Sequence, residues 1–174
     1  GITKFKEITN DTHTIELYSH MGSLEQGYNE LSLRIKDNTT DKYIKDAEVS
    51  WTPLMHMTSM THACPYSTVE KVTENGTLYK GYIMFQMAQN ETEYWDLKID
   101  YTINGVDYTA TDVIDVPASA KRKVNTFTGS DGVKYLVAYI EPHHPKVAVN
   151  DMKVGVWKMQ NMMTFPVVDG YTVK

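Results

Sequence analysis

One cysteine, Cys64, stands alone among 174 residues, which excludes an intrachain disulfide framework. Positive charge is in deficit, with 17 Lys and Arg against 22 Asp and Glu for a net charge of −5. A non-specific nucleic-acid binder needs a basic face that this balance does not supply. No apolar run approaches the roughly 18–20 residues of a membrane-spanning helix, and no segment carries a capped apolar repeat of 3.6 residues. Phosphate-cradling glycine loops, Cys-x-x-Cys pairs and His-Glu-x-x-His are all missing. The carboxylates Asp96, Asp100, Asp107, Asp112 and Asp115 lack the order of a calcium loop. Cys64 has His56 and His62 near it in sequence but no glycine-rich turn to build an oxyanion hole. The expectation is therefore a protein without catalytic activity.

What the chain has is alternation. Hydrophobic residues make up 41% of it, enough for a core, and they recur with period two. Residues 28–36 are the cleanest case, with Leu31, Leu33 and Ile35 on one side and Ser32, Arg34 and Lys36 on the other. Similar segments are read at 13–20, 45–52, 67–72, 78–87, 94–103 and 106–116, separated by Gly22 and Gly27, by 37–41, by Asn75-Gly76 and by Asn104-Gly105. Short strands with turn signals every 8–12 residues or so predict an all-β, immunoglobulin-like antiparallel β-sandwich. Pro53 is expected to end the third strand, because it cannot donate to a ladder. Residues 2–12 read as a loose polar lead-in, so the first domain is placed at 12–117.

Residues 118–126 read as a linker, and 127–174 as a partial second copy of the opening. Residues 133–141 match the first strand, and 148–157 match 27–36, with Asn150 over Asn29 and Tyr139 over Tyr18. Residues 168–173 fall on 45–50. The copy is expected to continue beyond Lys174. Gly1 in place of an initiator Met is read as a trimmed start, so that a leader or lipid anchor would have preceded it.

The densest chemistry lies between Pro53 and Pro65, where Met55, His56, Met57, Met60, His62 and Cys64 supply thioethers, imidazoles and a thiol. Such donors favour copper, above all Cu(I), over hard cations. Filling of a core gap is the competing use of methionine. If the loop curls, Met57, Met60 and His62 surround one ion, with His56 and Cys64 as further candidates. If it is extended, His56, Met60, His62 and Cys64 share a face while Met55 and Met57 point inward. Spacing does not choose between the two. His143 and His144, between prolines, read as a surface turn. Met159, Met162 and Met163 read as an adaptable patch on the open side of an incomplete sandwich, meeting residues beyond Lys174 or a partner.

The segment Met57-Thr-Ser-Met60-Thr-His62, followed by Leu78-Tyr-Lys-Gly-Tyr82 and Tyr94-Trp95-Asp96-Leu97, resembles the YtkA-like and FixH-like extracytoplasmic β-sandwich domains over about residues 13–116. The family pattern is Met-Pro-x-Met-x-His, a Gly-x-Tyr-x-Gly strand and a Trp-x-Leu strand. Here Thr58 stands in place of the proline and Thr61 in place of a common glycine. The resemblance implies a non-enzymatic, envelope-associated module of the periplasm or cell surface, some members of the family being linked to copper handling or oxidase assembly. Its partners would be a metal ion and an envelope protein. The alternative is an interaction or adhesion-like module that holds no metal.

Overall fold

The alternation becomes strands. The computed structural model of the protein describes residues 1–121, 123–140 and 152–173, and among them every regular element is a β-strand. In chain order these are β1 (Thr3–Thr9), β2 (His13–Ser19), β3 (Gly27–Asp37), β4 (Glu48–His56), β5 (Thr61–His62), β6 (Glu70–Lys71) and β7 (Tyr79–Phe85). There follow β8 (Tyr94–Ile103), β9 (Val106–Ile114), β10 (Val124–Thr128), β11 (Lys134–Ile140), β12 (Met152–Lys158) and β13 (Val167–Val173).

Three antiparallel sheets result. The first has the order β1-β2-β3-β7-β6, the second β5-β4-β8-β9 and the third β10-β11-β12-β13. The first two face each other as a sandwich. Ile15, Leu17, Leu31, Leu33 and Ile35 of one sheet pack on Trp51, Met55, Trp95, Leu97 and Ile99 of the other, all buried. Each such aliphatic side chain contributes about 1.5–3 kcal/mol by leaving water, so this layer dominates the stability.

The third sheet lies on the outer face of the first. Leu136, Ala138 and Trp157 pack against Met84, with Tyr28 and Tyr82 alongside. Trp157 Nε1 donates to the Tyr82 hydroxyl at 3.2 Å. The other face of this third sheet carries exposed Phe127 and Tyr139, and Val167 and Val168 are exposed on β13. The succession β10-β11-β12 runs as β1-β2-β3 does, and β13 then takes the place that β7 holds in the first sheet.

Four local expectations change. The polar lead-in is the strand β1, paired with β2 from Thr3↔Ser19 to Thr9↔Thr14. A bulge between Lys4 and Lys6 breaks its alternation, which hid a strand whose Ile8 is fully buried. Strand β4 runs through Pro53, which pairs with Leu97. Strand β5 reaches only Met55 and His56, so the edge beside Pro53 is open and a missing N–H is tolerated there. The expected strand at 67–72 shrinks to β6 and a bridge from Tyr66 to Ile83. There the Ser67 hydroxyl, in place of a carbonyl, accepts from Tyr82 N–H at 2.8 Å. This close approach needs Gly81, since a Cβ would meet Ser67 Oγ at 2.6 Å and the Trp51 ring at 2.7 Å. Finally, the segment read as a linker ends inside β10, which pairs with β11.

Candidate functional site: a thioether and imidazole hairpin

The Met- and His-rich stretch folds back on itself. Met55 pairs with His62 and His56 with Thr61, and Met57 N–H donates to Met60 C=O at 2.8 Å. Thr58 and Ser59 are left as a two-residue turn, with Thr58 N–H donating to Glu93 at 3.3 Å. Side chains alternate along each strand and partners share a face. Met55, Met57, Met60 and His62 therefore line the inner face of the hairpin, and His56 and Thr61 the outer one. Met55 is sealed in the core, Met57 is half-buried against it, His62 is 8% exposed and Met60 is 45% exposed. The three donors singled out from the sequence thus share one face at the rim of the sandwich.

The ring of His62 is oriented by its neighbours. Its Nδ1 lies 2.6 Å from Ala63 C=O. A carbonyl only accepts, so Nδ1 carries a proton, and when the ring is neutral Nε2 presents its lone pair. That nitrogen faces Met87 Sδ at 3.3 Å. Met87 follows β7, and its backbone is held where Trp95 Nε1 donates to Met87 C=O at 2.9 Å. The Trp95 ring meets His62 edge-on, centroids 5.8 Å apart. Gln86 Nε2 donates to the same Ala63 carbonyl at 3.1 Å. Gln86 Oε1 is buried and has no hydrogen-bond partner among the described residues.

In the neutral ring two electron pairs, one on nitrogen and one on sulfur, face each other across 3.3 Å. One added positive charge completes the pair, either a proton on Nε2 or a soft cation. Bonds of about 2.0 Å to nitrogen and about 2.3 Å to sulfur, as at zinc, close over this separation with about 100° at the ion. That angle suits three- or four-coordination, and the donors suit Cu(I). Among the described residues no three His, Cys, Asp or Glu side chains converge on one point. An ion here would be held by one imidazole and by thioethers.

The further candidates lie elsewhere. His56, on the outer face, donates from Nε2 to Asp96 Oδ2 at 2.6 Å and stacks on Tyr94 with centroids 4.9 Å apart. Cys64 is wholly enclosed, and burial pushes its thiol well above the ordinary range, so it stays a thiol. His143 and His144 lie outside the described residues. Sequence reasoning missed Met87 as a donor. It closes the segment read as a strand at 78–87, and nothing in spacing shows that the end of β7 comes beside β5. Comparison of the chain with family models, with curated proteins and with solved structures gives no match.

Proposed function

We propose that the protein is a non-enzymatic binding module of the cell envelope that holds Cu(I) on the inner face of the β4–β5 hairpin. His62 and Met87 are its primary ligands, and Met57 and Met60 supply further sulfur. The observation that carries this reading is the Nε2-to-Sδ separation of 3.3 Å, with the other ring nitrogen committed to a carbonyl. The envelope location rests on the resemblance to YtkA-like and FixH-like domains. Thr58 in place of the family's proline leaves the turn held by the Met57–Met60 and Thr58–Glu93 hydrogen bonds instead.

The test is thermal unfolding with and without Cu(I) under reducing conditions. A ligand at one hundred times its dissociation constant stabilises by about 2.7 kcal/mol, and His62→Ala with Met87→Leu removes that shift. No shift in the unsubstituted protein would end the metal reading. One observation favours a second reading, a docking module that holds no metal. The outer face of the third sheet leaves Phe127 and Tyr139 exposed at 48% and 39%. Partner binding unaffected by the same double substitution would support it.

A further inference from the structure

The connection between β12 and β13 carries Met159, Met162 and Met163. Its turn is tightly bonded: Gln160 N–H donates to Thr164 C=O at 3.1 Å, and Met163 N–H donates to Asn161 Oδ1 at 2.8 Å. Even so, Met162 and Met163 stay 39% and 47% exposed. The turn is also tied to the hairpin, because Ala63 N–H donates to Met162 C=O at 2.8 Å. Ala63 adjoins His62, and its own carbonyl holds the His62 ring. A backbone hydrogen bond brings two chains to about 5 Å, and a methionine side chain reaches across such a gap through three rotatable bonds. The Met162 backbone is therefore anchored one residue from His62, and Met162 and Met163 are both exposed on the turn that this bond holds.

We propose that Met162 and Met163 form an outer thioether site that takes up Cu(I) and passes it to His62 and Met87. The proposal rests on the Cu(I) reading of the hairpin and supplies its access route. The transfer is ligand exchange alone. A bond from the ion to an outer sulfur breaks as a bond to Met87 Sδ or His62 Nε2 forms, and the ion stays monovalent throughout. Exposed sulfur suits the first step because a soft ion is exchanged there without opening the core.

The test adds Ag(I), a redox-stable stand-in for Cu(I), to the full chain labelled with 13C at the methionine methyls. The expected result is a shift of the hairpin-site methyls, Met57, Met60 and Met87, and of the outer Met162 and Met163 methyls, with an uptake of two equivalents. Met162→Leu with Met163→Leu, nearly volume-conserving, then takes one equivalent, still shifts Met87, and fills the inner site several-fold more slowly from chelated Ag(I). Shifts at the hairpin-site methyls alone, or at the outer pair alone, overturn the proposal. So does an unchanged stoichiometry or filling rate in the double variant. If no methyl shifts at all, the Cu(I) reading itself falls and takes the outer site with it. If Met87 shifts normally while the outer pair is silent, only the outer site falls.

Discussion

The two faces of the β4–β5 hairpin hold a histidine each, and the two rings are bound in opposite ways. On the inner face His62 gives its Nδ1 proton to a backbone carbonyl and turns Nε2 toward sulfur. On the outer face His56 gives its Nε2 proton to the Asp96 carboxylate and lies flat on Tyr94. One residue type thus serves two chemistries, a soft-donor pair enclosed at the sandwich rim and a carboxylate-paired ring open to solvent. What separates them is strand parity and the acceptor that each ring meets first.

The sharpest way to break this contrast is to titrate Cu(I) against each face. At one hundred times its dissociation constant the ion should add about 2.7 kcal/mol to the unfolding free energy. His62→Ala or Met87→Leu should abolish most of that gain, and His56→Ala should leave it intact. Equal losses from both histidines, read by calorimetry, would mean that the faces are not distinct. Because a ligating imidazole must be unprotonated, the gain should also shrink as the solution is acidified.

Cys64 sharpens the same contrast from the inside. It lies two residues beyond His62 and is fully buried, with its thiol held protonated by burial. Cys64→Ser places a hydroxyl in an apolar enclosure, and the expected cost is about 1–3 kcal/mol of stability, measured by urea unfolding. The Cu(I)-induced gain should survive. Its disappearance in a folded Cys64→Ser protein would make the thiol a ligand.

A third histidine extends the comparison to the far end of the sandwich. His13, only 5% exposed, takes the Tyr101 hydroxyl and Thr12 Oγ1 at Nδ1, at 2.8 and 2.9 Å. Burial pushes its imidazole below the ordinary histidine range, and Asp37 across the strand pulls less strongly the other way. The unfolded chain therefore binds a proton that the folded one refuses. Stability should fall as pH drops below about 6.5, the unfolded value, and level off below the folded one. In His13→Gln that part of the slope should vanish from a series of urea midpoints. An unchanged slope would assign the acid sensitivity to other groups.

Much of the fold was legible because period two is a direct imprint of the pleat. Residues 94–103 were read as the strand that β8 is, and 28–36 fall within β3. The failures have local causes. The bulge in β1 erased its alternation, an open edge let β4 absorb Pro53, and the Ser67 hydroxyl replaced part of a ladder. At the site, parity on a continuous strand would have put His56 with His62. A two-residue turn pairs Met55 with His62, so odd positions before it share a face with even positions after it. Choosing between the two requires knowing that residues 58 and 59 reverse the chain, and Thr-Ser carries no strong turn signal. Met87 was beyond reach for a different reason, since its meeting with His62 joins the ends of two strands in different sheets.

The smallest effect concerns the outer face alone. Asp96 Oδ2 accepts from His56, while Asp96 Oδ1 is buried without a partner among the described residues. The side chains are 30% and 19% exposed, so solvent screens the pair, and a coupling of about 0.2–1 kcal/mol is expected. A double-mutant cycle of His56→Ala and Asp96→Ala isolates that coupling from the separate cost of each truncation. Asp96→Ala also removes the unpartnered oxygen, which offsets part of the lost hydrogen bond, so this single variant should cost less than His56→Ala, which strands the whole carboxylate. The reverse order, measured in urea, would show that the carboxylate holds something on that face besides the ring.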